Sequence, residues 1–562
     1  MRRLFVLPCA LCIGTAFADA AAEERPVWTA GIVTDTHVGS TRESCDLVEK
    51  ACTLFASRGI DVFIHCGDIA DRHSPEGYRI LSELTDAAFP AKPKEKIWVY
   101  ADHDFNGRRD EPWETVMGDV KRHLGASNGL YGLVDVRGWP LLVFPQRIDF
   151  ARAEQMLSDA CADPRFAGKP VFVFDHVPPE DTTEDTATWG DRGRRALYSK
   201  FPRAIVVHGH VHGSLRSELN IWQGGFTAVN MGCLSRWEGR AVGAAPETKR
   251  SHGAVLMEVF ADRVVFRRYD VRTGEEYGAD EPWTVPLPFD PATAPYRRDR
   301  AAEREPVPQF PAGAVLSLGA PEPFHRLELR FPRAEGRHGD YKYDVQVAGP
   351  DGGRIALVER FGRFWQSERE RPAEFSCTLS AAFFEPGRRY RVRVAPCNFF
   401  GAEGRALEAE FVAPEESGYE TVFESDDPVA ECPFLTGLEG GRRLAPSEDG
   451  WFDIGGGNYR LEFPEGVWGA EGRYRFAIDM ETVQDGARTW TLVLRDPGKD
   501  GIRNANNRIA TPRGDSGRTR YVIGFVQERA ERHYYLLVRE GGKGRIRFDR
   551  VKIERMATGE GK

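Results

Sequence analysis

The 562-residue chain predicts a multidomain protein, with a layered α/β domain first and all-β domains after it. Three observations carry this prediction. Apolar strand patterns alternate with helical patterns up to about residue 270, prolines cluster between residues 282 and 311, and apolar residues beyond them recur with a period of two. The chain is also longer than one hydrophobic core usually fills, so several domains are expected.

The α/β domain is expected over residues 26–280 and begins with a βαβ unit. Its first strand, helix and second strand are the segments WTAGIVTD, SCDLVEKACTLFA and DVFIHCGD. Further strands are predicted at KIWVYAD, PLLVFP, KPVFVFDH and RAIVVHGH, with a helix at FARAEQMLSDA. A pair of strands, GAVLMEVF and RVVFRRYD, closes the domain. The prolines that follow predict an extended linker over residues 281–305.

Two β-sandwiches are predicted beyond the linker, over residues 306–415 and 418–557. Segments such as RRYRVRV and RYRFAIDM alternate apolar and polar residues, as strands with one buried face do. The first sandwich resembles a fibronectin type III module through YRVRVAPCNFFGAEG. The second, which ends in GKGRIRFDRVKIER, resembles a jelly roll of the carbohydrate-binding type. The resemblances imply a glycan or a cell-surface ligand for these domains.

Residues 1–20 have the features of a secretory signal peptide. Two arginines precede an apolar run from Leu4 to Phe17, and small residues follow at Ala18 and Ala20. No later segment approaches the roughly 20 apolar residues that a membrane span needs. We therefore expect a secreted or periplasmic protein with no transmembrane anchor.

Composition and cysteine spacing exclude several classes of protein. Charged residues make up 29% of the chain and hydrophobic residues 41%, which does not favour disorder. A formal charge of -9 argues against general nucleic-acid binding, because phosphate backbones are bound by clustered Lys and Arg. The cysteines beyond the signal form no zinc-knuckle spacing, and export leaves their disulfide pairing open. They are Cys45, Cys52, Cys66, Cys161, Cys233, Cys377, Cys397 and Cys432.

Polar side chains follow the predicted strands of the α/β domain, at the points where the strands end. The carboxyl ends of parallel strands meet at one edge of a sheet, so these side chains are expected to converge. They are Asp35 and His37 in TDTHVG, Asp68 and Asp71 in CGDIADR, Asp102 and His103 in ADHDF, His176 in FDHVPP, and His210 and His212 in HGHVHG. Any one of these motifs alone is more often a surface turn, but all five occur in order.

The ordered motifs D-x-H, G-D-x-x-D, a near copy of G-N-H-[DE], a lone His and G-H-x-H resemble the calcineurin-like metallophosphoesterase superfamily over residues 28–270. The resemblance implies a four-layer αββα sandwich with two metal ions. One ion would be bound by Asp35, His37, Asp68 and His212, and the other by Asp68, Asp102, His176 and His210. Nitrogen and oxygen ligands without thiolate suit Fe, Mn or Zn, and the identity of the metals stays open.

The same residues suit the hydrolysis of a phosphate ester. Two metals about 4 Å apart can share a bound water, lower its pKa and aim the resulting hydroxide at phosphorus. The leaving alkoxide needs a proton, for which His103 is the candidate acid, with Asp71 fixing its tautomer. Arg72 is a candidate donor to a phosphoryl oxygen.

Other residues near these motifs have less certain roles. His208 would share a face with His210 and His212, but we interpret it as an interior residue. Trp189 would either line a substrate loop or cap the rim of the site. Asp71 replaces the metal-binding tyrosine of purple acid phosphatases, which disfavours that branch of the superfamily.

Asp102 departs from the family pattern, which has asparagine at this position. A third carboxylate leaves two divalent metals with a local charge of about +1 instead of +2. A phosphodiester, with one negative charge, is then favoured over a phosphomonoester with two. The alternative is an extracellular binding or adhesion protein whose metallophosphoesterase scaffold is catalytically impaired.

Overall fold

The structure is a computed structural model of the chain. It describes residues 24–39, 42–90, 95–105, 111, 113–124, 128–235, 252–319, 327–349, 354–366, 370–379, 387–413, 418–437, 441–455, 457–485, 491–495, 508–510, 517–527, 533–540 and 543–556. The predicted signal peptide at residues 1–20 lies outside these residues. None of the helices within the described part of the chain has the length and apolar character needed to cross a membrane.

The N-terminal domain alternates strands and helices, as its sequence predicts. Its elements are β1 (Trp28–Val33), α1 (Arg42–Arg58), β2 (Val62–His65), α2 (Pro75–Ala88), β3 (Glu95–Trp98), α3 (Trp113–Leu124), β4 (Gly132–Val136), β5 (Trp139–Val143), α4 (Phe150–Ala162), β6 (Val171–Phe174), α5 (Thr186–Trp189), α6 (Arg192–Tyr198), β7 (Ala204–His208), β8 (Ile221–Gln223), β9 (Thr227–Asn230), β10 (Gly253–Val259), β11 (Arg263–Asp270), β12 (Glu275–Tyr277), β13 (Trp283–Pro286) and α7 (Ala301–Arg304). The α/β character expected for this domain is confirmed.

Two mixed sheets form the centre of this domain. The first has the order β12-β11-β10-β1-β2-β3, with β13 paired to β11, and the second has the order β4-β5-β6-β7-β9-β8. Strands β1, β2 and β3 are parallel, as are β5, β6, β7 and β9. Nearly every residue of β2, β6 and β7 is buried, which is typical of parallel strands covered on both faces.

Apolar side chains from the two sheets share one core, and helices cover the outer faces. Trp28 of β1 and Phe172 of β6 meet edge to face at 5.4 Å between ring centroids. Phe55 of α1 and Leu81 of α2 pack on the outer face of the first sheet. Leu157 of α4 packs likewise on the second sheet. The carboxyl ends of β1, β2, β3, β6 and β7 are therefore held by two sheets that cannot slide independently.

The segment at 281–305 differs from the extended linker that its prolines predict. β13 pairs antiparallel with β11, and Trp283 and Val285 point into the shared core. Tyr296 is also part of that core, and its backbone N–H donates to Gln223 Oε1 at 3.1 Å. Pro286 is compatible with β13 because it ends a short edge strand, where a missing N–H is tolerated. This segment is thus packed against the N-terminal domain.

Beyond α7, all regular elements of the described chain are β-strands except the short helix α8. Its elements are β14 (Ser317–Leu318), β15 (Leu327–Pro332), β16 (Lys342–Ala348), β17 (Arg354–Phe361), β18 (Glu374–Leu379), β19 (Arg389–Cys397), β20 (Leu407–Val412), β21 (Glu420–Ser425), α8 (Pro428–Glu431), β22 (Phe434–Thr436), β23 (Phe452–Ile454), β24 (Gly457–Glu462), β25 (Gly472–Asp485), β26 (Thr491–Arg495), β27 (Arg508–Ala510), β28 (Gly517–Gln527), β29 (Tyr535–Glu540) and β30 (Lys543–Met556).

We call residues 306–415 the first β region and residues 418–557 the second β region. The described strands of the first form sheets of three and four strands, β14-β15-β18 and β17-β16-β19-β20. Those of the second form two five-stranded sheets. Several C-terminal β-sheet regions are thus present, as predicted, while the likeness to fibronectin type III and jelly-roll modules stays a prediction. None of the eight cysteines in the described part of the chain forms a disulfide bond.

Candidate metal centre

The predicted site residues lie in the turns that leave five strands of the N-terminal domain. Asp35 and His37 follow β1, Asp68 follows β2, and Asp102 follows β3. From the second sheet, His176 follows β6, while His210 and His212 follow β7. The site therefore lies where the carboxyl ends of parallel strands from both sheets meet.

Five of these seven residues have a left-handed backbone, which side-chain-bearing residues rarely adopt. Such a conformation costs on the order of 1 kcal/mol or more and persists only where the surroundings hold it. The φ angles are 51° at Asp35, 45° at His37, 53° at Asp68, 74° at His210 and 48° at His212. These turns redirect the chain sharply at each strand end, so that the side chains converge.

The seven side chains form two groups of four that share one carboxylate. In each group, the atoms able to bind a metal lie within 4.8 Å of one another. The first group is Asp35, His37, Asp68 and His212, and the second is Asp68, Asp102, His176 and His210. These are the two sets that the sequence motifs predict, with Asp68 between them.

Electrostatics around the groups favour ionised carboxylates. Asp35 Oδ1 lies 3.0 Å from His212 Nε2, and Asp68 Oδ2 lies 3.2 Å from His176 Nε2. Burial alone would raise the pKa of Asp35, but His212 and His176 hold that pKa far below its usual range. Burial likewise opposes ionisation of His176, yet Asp68 and Asp35 raise the pKa of this imidazole to about 10. Positive charge close to the buried carboxylates therefore stabilises their ionised form.

The donor set fits two transition-metal ions. Asp102 Oδ1 is buried without a hydrogen-bond partner, and a buried carboxylate oxygen in that state is costly unless a cation binds it. His176 Nε2 is also buried and makes no aligned hydrogen bond. Imidazole nitrogens and carboxylate oxygens without thiolate suit Fe, Mn or Zn.

His103 and Asp71 lie beside the first group. His103 Nδ1 is 3.0 Å from the backbone oxygen of Asp71 and 3.6 Å from its Oδ1, and Asp71 Oδ1 is also 3.4 Å from His37 Nδ1. The rings of His37 and His103 meet edge to face at 4.8 Å. About a third of the His103 side chain is exposed, so the ring borders solvent. Arg72 is exposed next to Asp71, and its role as a phosphoryl donor stays a prediction.

Asp104 supports the site, a role that none of the sequence motifs indicates. Its buried carboxylate accepts hydrogen bonds of 3.1 Å from the backbone N–H groups of Ile69, Ala70 and Ala101. Burial and the neighbouring Asp68 raise the pKa of Asp104, and these donors oppose the rise. Asp104 thus joins the turn after β2 to the turn after β3. The DHDF stretch contains this residue, but two of its three backbone partners, Ile69 and Ala70, lie 35 and 34 positions away in the sequence.

Several neighbouring residues serve the interior. His208 is buried, and its Nε2 is hydrogen-bonded to Thr183 Oγ1 at 3.1 Å. Burial lowers the pKa of His208 to about 3, which keeps this ring neutral. Trp189 lies in α5 with 41% of its surface exposed, so its two interpretations stay open.

The chain was compared with family models, curated proteins and solved structures. Residues 29–214 match the family model for calcineurin-like phosphoesterase. No curated protein sequence matched the chain. Similar solved structures include a dimetal phosphatase from Danio rerio, with 12% identity, a TM-score of 0.34, and coverage of 47% of this chain and 99% of the other.

Two further structures show a comparable likeness. One is GAP50, the anchor in the inner membrane complex of Plasmodium, with 10% identity, a TM-score of 0.33, and coverage of 47% of this chain and 92% of the other. The other is the purple acid phosphatase PPD1 from yellow lupin (Lupinus luteus) seeds, with 14% identity, a TM-score of 0.32, and coverage of 47% and 54%.

The family match, together with the buried aspartates and histidines at the strand ends, identifies the protein as a metal-dependent phosphoesterase. The N-terminal part of the chain is, more particularly, a calcineurin-like phosphoesterase domain.

Proposed function

We propose that the protein is an exported phosphoesterase with two metal ions, which hydrolyses phosphodiesters in preference to phosphomonoesters. The observation that carries the preference is Asp102, a carboxylate in the second group of ligands with one buried oxygen that lacks a hydrogen-bond partner. Export rests on the signal-like residues 1–20. Attachment to a glycan or a cell surface through the β regions rests on their sequence resemblances alone.

The candidate site residues have separate roles in metal binding and in proton transfer. The two groups of four hold the ions, which when bound supply an activated water and neutralise charge at phosphorus. His103 holds a proton for the leaving alkoxide. A hydrogen bond from its Nδ1 to the backbone oxygen of Asp71 would leave Nε2 to carry that proton. The edge-to-face contact with His37 restrains the orientation of the His103 ring.

The charge of the ligand set decides between substrates. Asp35, Asp68 and Asp102 together contribute about -3, so two divalent ions leave the centre near +1. An asparagine in place of Asp102 would leave it near +2. The lower charge weakens attraction for a dianionic monoester more than for a monoanionic diester. It also makes deprotonation of a bound water harder, so activity should begin at higher pH.

A pair of chromogenic substrates tests the preference. Purified full-length protein loaded with Mn²⁺ or Zn²⁺ is assayed with bis(p-nitrophenyl) phosphate and with p-nitrophenyl phosphate, across pH and with added chelator. We expect a higher kcat/KM for the diester. Asp102→Asn should raise monoester turnover and shift the pH profile to lower values. An unchanged profile and an unchanged substrate ratio, in a variant that still holds two metals, would disprove the electrostatic argument.

The alternative function is binding or adhesion on an impaired scaffold, and Asp102 is again the observation that favours it. A protein that binds two ions but cleaves neither substrate at any pH, while Asp102→Asn restores cleavage, would establish this alternative. Failure of both the parent and the variant would remove phosphoesterase activity from the proposal altogether.

A further inference from the structure

The short 3-10 turn Glu218–Asn220 lies between the loop that bears His212 and the first β region. Its three side chains contact three different parts of the protein. Asn220 contacts the His212 loop, Leu219 contacts the first β region, and Glu218 contacts the first sheet of the N-terminal domain. This turn therefore connects an ostensibly separate β region to the metal centre.

Asn220 clamps the backbone that follows His212. It is fully buried, its Nδ2 donates to the Ser214 backbone oxygen at 2.7 Å, and its Oδ1 accepts from Asn230 Nδ2 at 3.0 Å. The two amides lie so close to Gly213 that a Cβ there would be 2.7 Å from Asn220 Nδ2 and 2.8 Å from Asn230 Nδ2. Gly213 directly follows His212, so the packing of the two amides against the Gly213 backbone restricts the position of His212.

The His212 loop needs such support because its backbone is strained. His210 and His212 both have positive φ angles, of 74° and 48°. Residues with side chains hold this conformation only where neighbouring groups exclude the alternatives. The His210 backbone N–H donates to Asp35 Oδ2 at 3.2 Å, which fixes one end of the loop. Asn220 fixes the other end.

Leu219 packs against an aromatic cluster of the first β region. Phe364, Trp365 and Phe399 are buried together, and Leu219 and Tyr341 pack against them. Tyr341 also donates a hydrogen bond of 3.5 Å to Glu184 Oε1. Because Glu184 Oε2 accepts from Asn220 Nδ2 at 3.2 Å, the cluster reaches Asn220 through a second route.

Glu218 anchors the opposite side of the turn. Its buried carboxylate accepts from an Arg268 guanidinium nitrogen at 2.9 Å and from Trp283 Nε1 at 3.0 Å. Arg268 belongs to β11 and Trp283 to β13, so this anchor lies within the N-terminal domain. The turn is thus held on one side by its own domain and on the other by the first β region.

We infer that the first β region is a structural part of the metal centre, because it fixes the turn Glu218–Asn220 and, through Asn220, the position of His212. Leu219 and Asn220 are positioning residues. The inference rests on the proposed function only in taking His212 as a metal ligand. Groups that orient a metal ligand typically change metal affinity about 10- to 100-fold when they are removed.

The test measures metal affinity in the full-length protein, stripped of metal and titrated calorimetrically with Mn²⁺ and with Zn²⁺. Leu219→Ala should weaken the binding of at least one ion by about tenfold or more. Leu219→Met should keep the metal affinity of the parent, because methionine nearly preserves the side-chain volume that packs against the aromatic cluster. Leu133→Ala is the matched control, since Leu133 is 47% exposed on β4. Its affinity should stay within about threefold of the parent.

Hydrogen exchange in the metal-free protein provides a readout independent of metal. Amides of residues 209–214 should exchange faster in Leu219→Ala than in the parent and in Leu133→Ala. Unchanged exchange together with parental affinity in Leu219→Ala would overturn the inference. If Leu219→Ala does not fold, Tyr341→Phe decides between the same outcomes, because it removes only the hydroxyl that contacts Glu184. A parent that binds both ions but cleaves no phosphate ester would refute the proposed function alone.

Discussion

Glu184 is a buried carboxyl group whose ionisation should destabilise the folded protein. Only 7% of its surface is exposed, and Asn220 and Tyr341 are among its hydrogen-bond donors. Burial, with a further contribution from Asp185, raises the pKa of Glu184 from 4.5 to about 8, against the lowering effect of Ser217 and these two donors. The perturbation is Glu184→Gln, which mimics the protonated carboxyl group at every pH.

The sign and the size of the effect follow from the two pKa values. The unfolded chain releases this proton near pH 4.5 and the folded chain near pH 8, so the folded state binds more protons in between. Stability should therefore fall as the pH rises through this window and level off above it. A difference of about 3.5 pKa units corresponds to at most about 5 kcal/mol. About 3 kcal/mol of it should appear between about pH 5.5 and pH 8.5.

Scanning calorimetry of the full-length protein can measure this effect. Each kcal/mol of stability changes the unfolding temperature Tm of a domain of this size by about 2 °C. The Tm of Glu184→Gln minus that of the parent should therefore increase by about 6 °C between pH 5.5 and pH 8.5. Glu448→Gln, which changes an exposed carboxyl group, is the matched control and should show a constant difference. A constant difference for Glu184→Gln as well would show that the pKa of Glu184 does not differ between the folded and unfolded chain.

Three further predictions concern the metal centre. Because seven candidate ligands converge, loaded protein should contain close to two ions by elemental analysis and lose hydrolysis with chelator, whereas one ion and chelator-insensitive activity would contradict the two-metal site. Gly67→Ala should lower the free energy of unfolding by roughly 1 kcal/mol because φ at this position is 97°, and it should also weaken metal binding because the new Cβ would lie 2.5 Å from His176 Nδ1. The control Gly59→Ala, where φ is 63° and the space around the Cβ is open, should lower stability only. Equal metal affinities of the two variants in calorimetric titrations would contradict this prediction. His103→Gln should slow cleavage of alkyl phosphate esters about a hundredfold, yet slow p-nitrophenyl esters much less because nitrophenolate leaves without a proton, and equal losses would argue against an acid role.

The sequence was sufficient to predict the α/β domain and the convergence of polar residues at its strand ends, because both follow from local rules. Strands such as β2 and β6 are short apolar runs that end in a polar turn, and parallel pairing brings those ends together. The period-two pattern beyond residue 306 likewise predicted β structure. The assignment of these residues to two sets that share Asp68 required more than local rules, namely the family resemblance that the ordered motifs carry.

Residues outside the motifs could not be predicted, because their roles depend on contacts between distant segments. Asn220 and Glu184 lie 36 positions apart, and neither stands in a recognisable pattern. The segment at 281–305 was predicted as a linker from its prolines. Trp283 nevertheless pairs within the first sheet, because burial of its large aromatic side chain holds the segment against the domain, and the extended conformation that prolines favour is compatible with a strand.

Every proposed metal ligand lies before residue 213, and this position alone would favour an N-terminal domain that works alone, with β regions that only attach it elsewhere. The contacts of the turn Glu218–Asn220 argue against this separation of metal binding from the β regions. Leu219 is only half-buried, so its contacts with the first β region supply much of what holds it. A strained loop released from Asn220 could relax toward ordinary φ values, and His212 would then move away from Asp35. The first β region therefore contributes to metal affinity, whatever it also binds.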